Sequence, residues 1–311
     1  MPTSRQGSVR LFRFSGIDVF LHWSWFLAAA FLIQNPVGHY SSITWNMLEC
    51  LALFVIVTLH EFGHVLACRQ VGGRANQIVL WPLGGVAYVD PPQRPGATLW
   101  SIAAGPLVNV ALVPILMLTV SMGRSLGWAH SAPDAYMLVR AVLFIDKVLL
   151  VFNILPVYPL DGGQILRSLL WFVMGRARSL FAAAIIGLIG ITGFIGLAFW
   201  SRSVWNAAIA VFLLMNCWNG LKHAQALLRF AKLPRREGFA CPSCKTAPPI
   251  GEYWKCSQCH RPFDTFSTQG VCPHCGTRFA TTKCLDCGAM NPIAEWSVHN
   301  YLPTHVYSPQ P

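Results

Sequence analysis

Residues 57–69 read VTLHEFGHVLACR and contain a His-Glu-x-x-His pattern, formed by His60, Glu61 and His64. On a helix, residues four apart lie on the same face, so the imidazoles of His60 and His64 can bind a single metal ion. Glu61 lies next to this face, where its carboxylate can act on a water activated by the ion. Catalytic zinc sites use three protein ligands and leave one position open. The pattern therefore predicts a zinc site whose third protein ligand comes from another part of the chain.

The composition around this motif is that of a membrane protein. Of the 311 residues, 54% are hydrophobic and 11% are charged, whereas soluble globular domains have roughly 25% charged residues. This composition excludes a single soluble domain, and it also excludes a disordered or nucleic-acid-coating protein despite the net charge of +11. Two histidines and a glutamate are costly inside a membrane helix, which makes them functional candidates. The alternative is that they line a polar cavity or an interfacial helix end.

Predominantly apolar stretches of about 20 residues predict six transmembrane helices, of which the fourth is interrupted near its start by Arg140, Asp146 and Lys147. These helices cover residues 18–35, 46–68, 97–122, 138–160, 180–200 and 204–221. The uncharged segment 75–89 is too short to span a bilayer and contains a Pro-Leu-Gly-Gly turn, so it predicts a membrane-associated β-hairpin or re-entrant loop. Lys and Arg are concentrated in alternate connections. This distribution predicts a multi-pass protein of the cell membrane with both termini in the cytosol.

The depth of His60 in the bilayer limits the choice of the third ligand. His60 lies about 14 residues, or roughly 21 Å, from the outer end of its predicted span, in the cytosolic third of the membrane. Asp161 and His22 are placed at the cytosolic ends of the fourth and first spans, and both remain candidates. Asp146 is placed near the outer end of the fourth span and drops out. Asp161 could instead be the N-cap of a helix over about 163–175.

Several motifs in a fixed order resemble the site-2 protease family of intramembrane zinc metalloproteases. They are LHWSWF from Leu21, LHEFGH from Leu59, WPLGGVA from Trp81, AGPLVNV from Ala104 and NILPVYPLDGG from Asn153. The resemblance covers about residues 14–222. The short connections leave no room for an inserted PDZ domain, and the chain lacks the CBS pair that some relatives carry after the last span. The sequence is therefore most similar to the compact bacterial-type branch.

This resemblance implies roles for the motif residues. His60, His64 and Asp161 would bind one catalytic zinc ion, with Glu61 as the general base. Asn153 would lie near the substrate or the developing oxyanion, and the alternative for this residue is a helix–helix hydrogen bond within the membrane.

The resemblance also implies a substrate class. The hairpin at Gly84 and Gly85 would bind the substrate by pairing with an unwound segment of it. The substrate would be a membrane-tethered regulatory protein, cut in or near a transmembrane helix. The alternative function, from a different class, is a catalytically silent membrane scaffold that presents its C-terminal region to cytosolic partners. The complete set of ligands and base argues against that alternative, because a scaffold has no use for a costly buried site.

Eight cysteines in four Cys-x-x-Cys pairs mark the C-terminal region as a metal-binding module. The pairs are Cys241 and Cys244, Cys256 and Cys259, Cys272 and Cys275, and Cys284 and Cys287. They predict two structural zinc ions with four thiolates each, in what looks like a double zinc ribbon. Disulfides are disfavoured because the predicted location is the reducing cytosol. The short loops between the pairs favour sequential pairing, first with second and third with fourth, over interleaved pairing.

The predicted fold class is an all-α polytopic membrane protein of about six transmembrane helices with a short β-hairpin, followed by a small zinc-ribbon β domain. The predicted parts are an intramembrane metalloprotease domain over 1–222, a basic linker over 223–240, a double zinc ribbon over 241–288 and a flexible tail over 289–311. Basic and acidic residues are nearly balanced in the ribbons. This balance favours docking of a cytosolic protein regulator or a substrate tail over binding of nucleic acid.

Overall fold

The computed structural model describes residues 7–81, 84–158, 160–202 and 204–297. The chain divides into two compact units after Ala226. The predicted limit of the first domain, residue 222, therefore lies four residues too early. Most of the predicted flexible tail, residues 298–311, lies outside the described residues, as do two residues of the predicted hairpin turn, 82 and 83.

Helices form most of the first unit. Within the described residues they are α1 (Ser24–Gln34), α2 (Ile43–Gln70), α3 (Pro95–Ser125), α4 (Trp128–Ser131), α5 (Pro133–Ile154), α6 (Asp161–Ser201) and α7 (Val204–Ala231). Three of them, α2, α3 and α6, are long and apolar enough to cross a membrane. The count of six spans stays a prediction. The predicted first span, 18–35, is wrong as a single helix, because α1 has 11 residues and is about 16 Å long, roughly half the thickness of a bilayer core.

Helix α6 is broken at Gly175, whose φ of 78° and ψ of 170° are not helical. Glycine adopts this positive φ at low cost because it has no Cβ. The break separates residues 161–174 from residues 176–201. This division agrees with the predicted short helix at about 163–175 followed by a separate span.

A four-stranded sheet lies beside the helices. Its strands are β1 (Ser8–Phe14), β2 (Ile17–His22), β3 (Arg74–Trp81) and β4 (Gly84–Asp90), in the spatial order β1-β2-β3-β4. β2 and β3 are parallel, and the other two pairs are antiparallel. The structure contains the predicted hairpin as β3 and β4, but the hairpin is half of a larger sheet. The first two strands were not predicted.

The sheet packs on α2, the helix that carries the His-Glu-x-x-His motif. Side chains of the sheet and of α2 form a core in which Ile17, Val19, Val65, Ile78 and Leu80 are each 0% exposed. Burial of such aliphatic side chains contributes about 1.5–3 kcal/mol each relative to exposure. The position of the sheet is therefore coupled to the position of α2.

Arg69, in the last turn of α2, reinforces this coupling. Its guanidinium donates hydrogen bonds to the carbonyl oxygens of Ser15 (2.6 Å), Ala75 (2.7 Å) and Gly16 (3.0 Å). The planar guanidinium holds its donors in a fixed geometry. Arg69 thus joins the β1–β2 turn and the start of β3 to one end of the motif helix.

The second unit has two short hairpins and an aromatic core. Its strands are β5 (Trp254–Lys255), β6 (Pro262–Phe263), β7 (Thr281–Lys283) and β8 (Met290–Pro292), followed by a 3-10 helix at Ile293–Trp296. We call residues 227–297 the cysteine-rich unit. Phe266 lies at the centre of the core, with its ring centroid 5.3 Å from that of Trp254 and 4.9 Å from that of Trp296.

The limits predicted for the cysteine-rich unit need correction at both ends. Trp296 is 1% exposed, so the packed structure continues beyond residue 288, because the core requires this indole. On the other side, Arg235 binds the Asp286 carboxylate at 2.7 and 3.1 Å. Arg236 binds Asp264 at 2.5 Å. Residues 235 and 236 of the predicted linker are therefore part of the unit.

Candidate active site

Two imidazoles and one carboxylate converge on a single point between α2 and α6. The Nε2 atoms of His60 and His64 are 3.1 Å apart. The Asp161 Oδ2 atom lies 3.0 Å from the first and 3.4 Å from the second. Ligand atoms at 2.0–2.1 Å from a tetrahedral zinc ion are about 3.3 Å from one another. The spacing and the chemistry of these three donors therefore fit zinc.

The other ring nitrogen of each histidine faces an acceptor. The Nδ1 of His64 lies 3.0 Å from the backbone carbonyl oxygen of Ser101, and the Nδ1 of His60 lies 2.6 Å from Oδ1 of Asn109. Both acceptors are on α3. Because a carbonyl oxygen only accepts, each Nδ1 carries the hydrogen, which leaves each Nε2 lone pair directed at the metal position.

The local backbone explains how Asp161 reaches the site. Asp161 is the first residue of α6, and Gly162, which follows it, lies against the end of α5. A Cβ at Gly162 would be 2.0 Å from the carbonyl oxygen of Ile154. Only glycine permits this approach, because any side chain would overlap the carbonyl group. His22, the alternative third ligand, is not part of the site: its ring stacks on Trp81 with a centroid distance of 3.8 Å.

Gly105 on α3 is a site residue that the sequence did not single out. A Cβ at this position would lie 2.3 Å from the Cε1 and Nε2 atoms of His64, and 2.8 Å from Nε2 of His60. The absence of a side chain at Gly105 therefore leaves the space that both imidazoles occupy.

We expect Gly105→Ala to displace the His64 ring and to weaken zinc binding at this site at least about tenfold, as loss of support for a metal ligand generally does. Bound zinc would be measured by elemental analysis after equilibration with graded chelator concentrations. The double variant His60→Ala/His64→Ala gives the zinc held by the cysteine-rich unit alone. The matched control is Gly193→Ala on α6, where a Cβ meets nothing within 4 Å. Equal zinc affinity in the Gly105 variant and the control would contradict this role.

Glu61 is 5% exposed and lies beside the metal ligands, in contact with β4. The backbone N–H of Ala87 donates a hydrogen bond to its carboxylate. A Cβ at Gly85 would lie 2.5 Å from Oε1 of Glu61, whereas a Cβ at Gly84 would meet nothing within 4 Å. Gly85 thus allows β4 to approach Glu61, and Gly84 has a φ of 138° that favours glycine. A bulky residue at Gly85 would move Glu61 whatever the role of the hairpin toward substrate.

A cavity of about 900 Å³ connects these groups. Both hairpin glycines, both histidines, Glu61, Asp161 and Asn153 line it. Much of the remaining lining is apolar: Val57, Trp81, Ala87, Val89, Ile102, Leu149, Phe152, Leu160 and Phe212. The cavity can therefore hold an apolar chain next to the metal position, with Asn153 on the same surface.

The sequence predicted Asp146 near the outer end of the fourth span, but the structure places it in the interior. It is 0% exposed, and its Oδ1 accepts a hydrogen bond from Nδ2 of Asn109 at 2.7 Å. The prediction was wrong because α5 begins at Pro133, five residues before the predicted span, which moves Asp146 about 7 Å deeper.

The eight paired cysteines form two clusters, and their pairing is nested. Cys241 and Cys244 lie with Cys284 and Cys287, while Cys256 and Cys259 lie with Cys272 and Cys275. Sulfur–sulfur distances across the clusters are 3.6–3.8 Å. Thiolates at 2.3 Å from a tetrahedral zinc ion are about 3.8 Å apart, whereas a disulfide bond is about 2.05 Å. Both clusters therefore fit zinc, and the predicted sequential pairing is wrong.

The nested arrangement follows from how the end of the unit returns to its beginning. The Ala240 N–H donates to the Trp296 carbonyl at 2.8 Å, and the Trp254 indole N–H donates to the Lys283 carbonyl at 3.0 Å. These bonds bring the last cysteine pair next to the first. In the inner cluster, hydrogen bonds from Thr277 lower the pKa of the Cys275 thiol to about 6. This ligand is therefore mostly thiolate at neutral pH, the form that binds metal.

The comparison with known proteins agrees with this geometry. The family model for peptidase family M50 matches residues 49–127 and 127–197. A zinc metalloprotease of Methanocaldococcus jannaschii is 36% identical over 180 residues, which are 58% of this chain and 50% of the relative. Stage IV sporulation protein FB of Bacillus subtilis is 29% identical over 126 residues, 40% of this chain and 41% of the relative. The chain thus spans half or less of the length of these two curated relatives.

The similarity extends to a solved structure. The site-2 protease from Methanocaldococcus jannaschii superimposes with a TM-score of 0.50 and 28% identity, over 69% of this chain and 95% of that chain. The matched region contains the two histidines, the glutamate and Asp161. Residues 49–197 thus match the model of peptidase family M50, and this part of the chain is similar in sequence and fold to a site-2 protease.

Proposed function

We propose that this protein is an intramembrane zinc metalloprotease that hydrolyses a peptide bond in or near a transmembrane segment of a membrane-tethered regulatory protein. The observation that carries the proposal is the zinc-sized triangle of His60, His64 and Asp161, with Glu61 beside it on the same cavity. His60, Glu61 and His64 lie on α2 and Asp161 lies on α6, and both helices are apolar and long enough to span a membrane. Ionisable side chains are costly inside a membrane helix, and a catalytic role explains why they are present there.

The chemistry divides among these residues. Zinc, when bound, supplies a Lewis acid that acidifies water and polarises the scissile carbonyl. Glu61 accepts the proton of the attacking water and delivers it to the leaving amine. The amide of Asn153 lines the same cavity, where it can donate a hydrogen bond to the negatively charged oxygen of the tetrahedral intermediate.

The depth of the site suggests where a substrate is cut. His60 lies ten residues before Gln70, the last residue of α2, or about 15 Å from that end of the helix. Arg69 and Arg74 lie at the same end, which favours a cytosolic location for it. With six spans and both termini in the cytosol, cleavage occurs near the cytosolic end of the substrate helix.

Strand β4 is placed to bind the unwound substrate. Among the described strands it is at one end of the sheet, and Val89 on it lines the cavity. A substrate segment that pairs with this strand would become extended and would expose its carbonyl groups, which a continuous helix hides.

Crosslinking tests this pairing. We expect Val89→Cys to form a disulfide with a cysteine near the cleavage point of the substrate, because its side chain lines the cavity. Tyr88→Cys, on the opposite face of the strand, is the matched control and should crosslink far less. Equal crosslinking from both positions would contradict the pairing.

The cysteine-rich unit is proposed to be a double zinc ribbon, with two structural zinc ions, that docks a cytosolic protein. Between residues 227 and 297 there are nine cationic and five acidic side chains. Each site of four thiolates and one Zn²⁺ adds a formal charge of about −2. The loaded unit therefore has a net charge near zero, which disfavours nucleic acid as its partner.

The proposed activity can be tested with the full chain in lipid vesicles and a panel of single-span test substrates. We expect cleavage that a chelator stops and added zinc restores, with the new terminus mapping to the cytosolic third of the substrate span. The double variant His60→Ala/His64→Ala should be inactive, although it retains the cysteine-rich unit. Substrate binding without cleavage by the zinc-loaded wild type would instead support the scaffold alternative.

A further inference from the structure

Three buried side chains from three helices form a hydrogen-bonded chain that ends at a metal ligand. His60 on α2 meets Asn109 on α3, with 2.6 Å between Nδ1 and Oδ1. Asn109 in turn donates from Nδ2 to Oδ1 of Asp146 on α5, at 2.7 Å. Asn109 and Asp146 are each 0% exposed. A carboxylate buried at this depth is costly, so its presence calls for a role beyond packing.

Asp146 sets the direction of the hydrogen bonds in this series of three side chains. A carboxylate accepts hydrogen bonds and has none to donate, so the side of the Asn109 amide that faces it is the NH₂ group. The amide oxygen must then face His60. Because this oxygen only accepts, Nδ1 of His60 carries the hydrogen and Nε2 keeps the lone pair that a metal needs.

We infer that Asp146 is a positioning residue for the metal site: through Asn109 it fixes the tautomer and ring orientation in which His60 binds zinc. This inference rests on the proposed zinc site. Asp146 does not touch the metal position; it acts only on the orientation of the amide that touches His60.

The two histidines differ in their need for such support. Nδ1 of His64 donates to the backbone carbonyl of Ser101, and a backbone carbonyl inside a helix cannot reverse its direction. The amide of Asn109 can rotate by 180° and present NH₂ to His60 instead. A neutral imidazole facing that NH₂ group would carry its hydrogen on Nε2, where it blocks metal binding. Asp146 prevents this reversal.

Asp146→Asn separates positioning from a merely structural role. An asparagine at 146 has nearly the same shape and keeps a hydrogen bond between α3 and α5, but it can pair with either orientation of Asn109. We therefore expect the variant to stay folded and to bind zinc at the active site about tenfold more weakly. The matched control is Asp134→Asn in the first turn of the same helix, where a half-buried carboxylate accepts hydrogen bonds from Ser41, away from the metal position.

A swapped variant provides a second test. Asn109→Asp combined with Asp146→Asn places the carboxylate directly against Nδ1 of His60 and the amide behind it. A carboxylate there accepts from Nδ1 in either rotamer, so we expect zinc affinity within about threefold of wild type, clearly above that of Asp146→Asn alone.

Zinc affinity is measured on the full chain by elemental analysis over graded chelator concentrations, with thermal unfolding as the check on folding. If wild type binds no more zinc than His60→Ala/His64→Ala, the proposed zinc site itself is wrong. If those two differ as expected but Asp146→Asn binds zinc within twofold of wild type, only the positioning role is wrong. If the swapped variant remains folded but does not recover zinc affinity, the positioning role of Asp146 is also wrong.

Discussion

Replacing Glu61 with glutamine is expected to lower the rate of peptide cleavage by about 10³-fold while zinc stays bound, because general-base catalysis typically contributes 10²–10⁴-fold. Glutamine has almost the same shape and can still accept the hydrogen bond from the Ala87 N–H, but it cannot take a proton from water. The metal ligands His60, His64 and Asp161 are untouched. The rate would be measured in a single turnover with a reconstituted transmembrane substrate, together with the zinc content.

The matched control for this variant is Glu49→Gln on the same helix. Glu49 is as buried as Glu61, at 5% exposure, but its carboxylate accepts hydrogen bonds from the Val37 and Gly38 backbone N–H groups at 2.6 and 3.0 Å. Loss of the Glu49 carboxylate should lower the free energy of unfolding by about 1–3 kcal/mol and leave the rate of the chemical step nearly unchanged. If Glu61→Gln cleaved as fast as Glu49→Gln, the assigned mechanism would be wrong. The inactive Glu61 variant could also retain bound substrate and allow its identification.

The proposed metal-binding group could be narrowed from the sequence because two independent constraints apply to it. Helical spacing places His60 and His64 on one face, and bilayer depth reduces the partners to Asp161 and His22. The choice between these two depended on the family resemblance, since depth alone did not exclude His22. The structure separates them through a contact that no periodicity reveals, the stacking of His22 on Trp81.

The first two strands could not be predicted from hydrophobicity. β2 is followed after one residue by α1, so together they read as one apolar run that is long enough for a span. Short apolar runs do not distinguish a buried strand from a helix. The available signal was the turn between β1 and β2, where Ser15 and Gly16 have φ values of 48° and 72°; a Ser-Gly pair is typical of such turns.

The support of His60 by Asn109 and Asp146 was missed for a different reason. The fourth span was predicted to begin at residue 138, whereas α5 begins five residues earlier, at Pro133. An error of one and a half turns moves a carboxylate from the interface to the interior. Polar contacts between distant helices depend on such shifts, and a single sequence does not fix them.

The pairing of the cysteines was mispredicted because loop length favours the wrong option, by a margin that packing can exceed. Sequential pairing closes the loops 245–255 and 276–283, of 11 and 8 residues, whereas nested pairing closes the loops 260–271 and 245–283, of 12 and 39 residues. The longer outer loop costs only about 1.4 kcal/mol more in closure entropy. What decides the pairing is the burial of Trp296 and the bonds between the two ends of the unit, which lie outside the region predicted to form the ribbons.

The nested pairing predicts an unequal loss of zinc when cysteine pairs are replaced by serine in the full chain. Removing Cys241, Cys244, Cys284 and Cys287 should abolish one zinc ion, because all four belong to the outer cluster. Removing Cys241, Cys244, Cys256 and Cys259 should abolish two, because it takes half of each cluster. Structural zinc sites use four protein ligands, so the two thiolates that remain in each cluster will not hold the ion.

Elemental analysis of the purified variants, relative to wild type, distinguishes the two arrangements. Sequential pairing predicts the reverse result, with one zinc ion lost from the second variant and two from the first. Removing Cys256, Cys259, Cys272 and Cys275 is the matched control, because it takes the whole inner cluster and should also cost one zinc ion. Retention of one structural zinc ion by the second variant would contradict the nested pairing, since neither cluster would then have more than two of its four ligands.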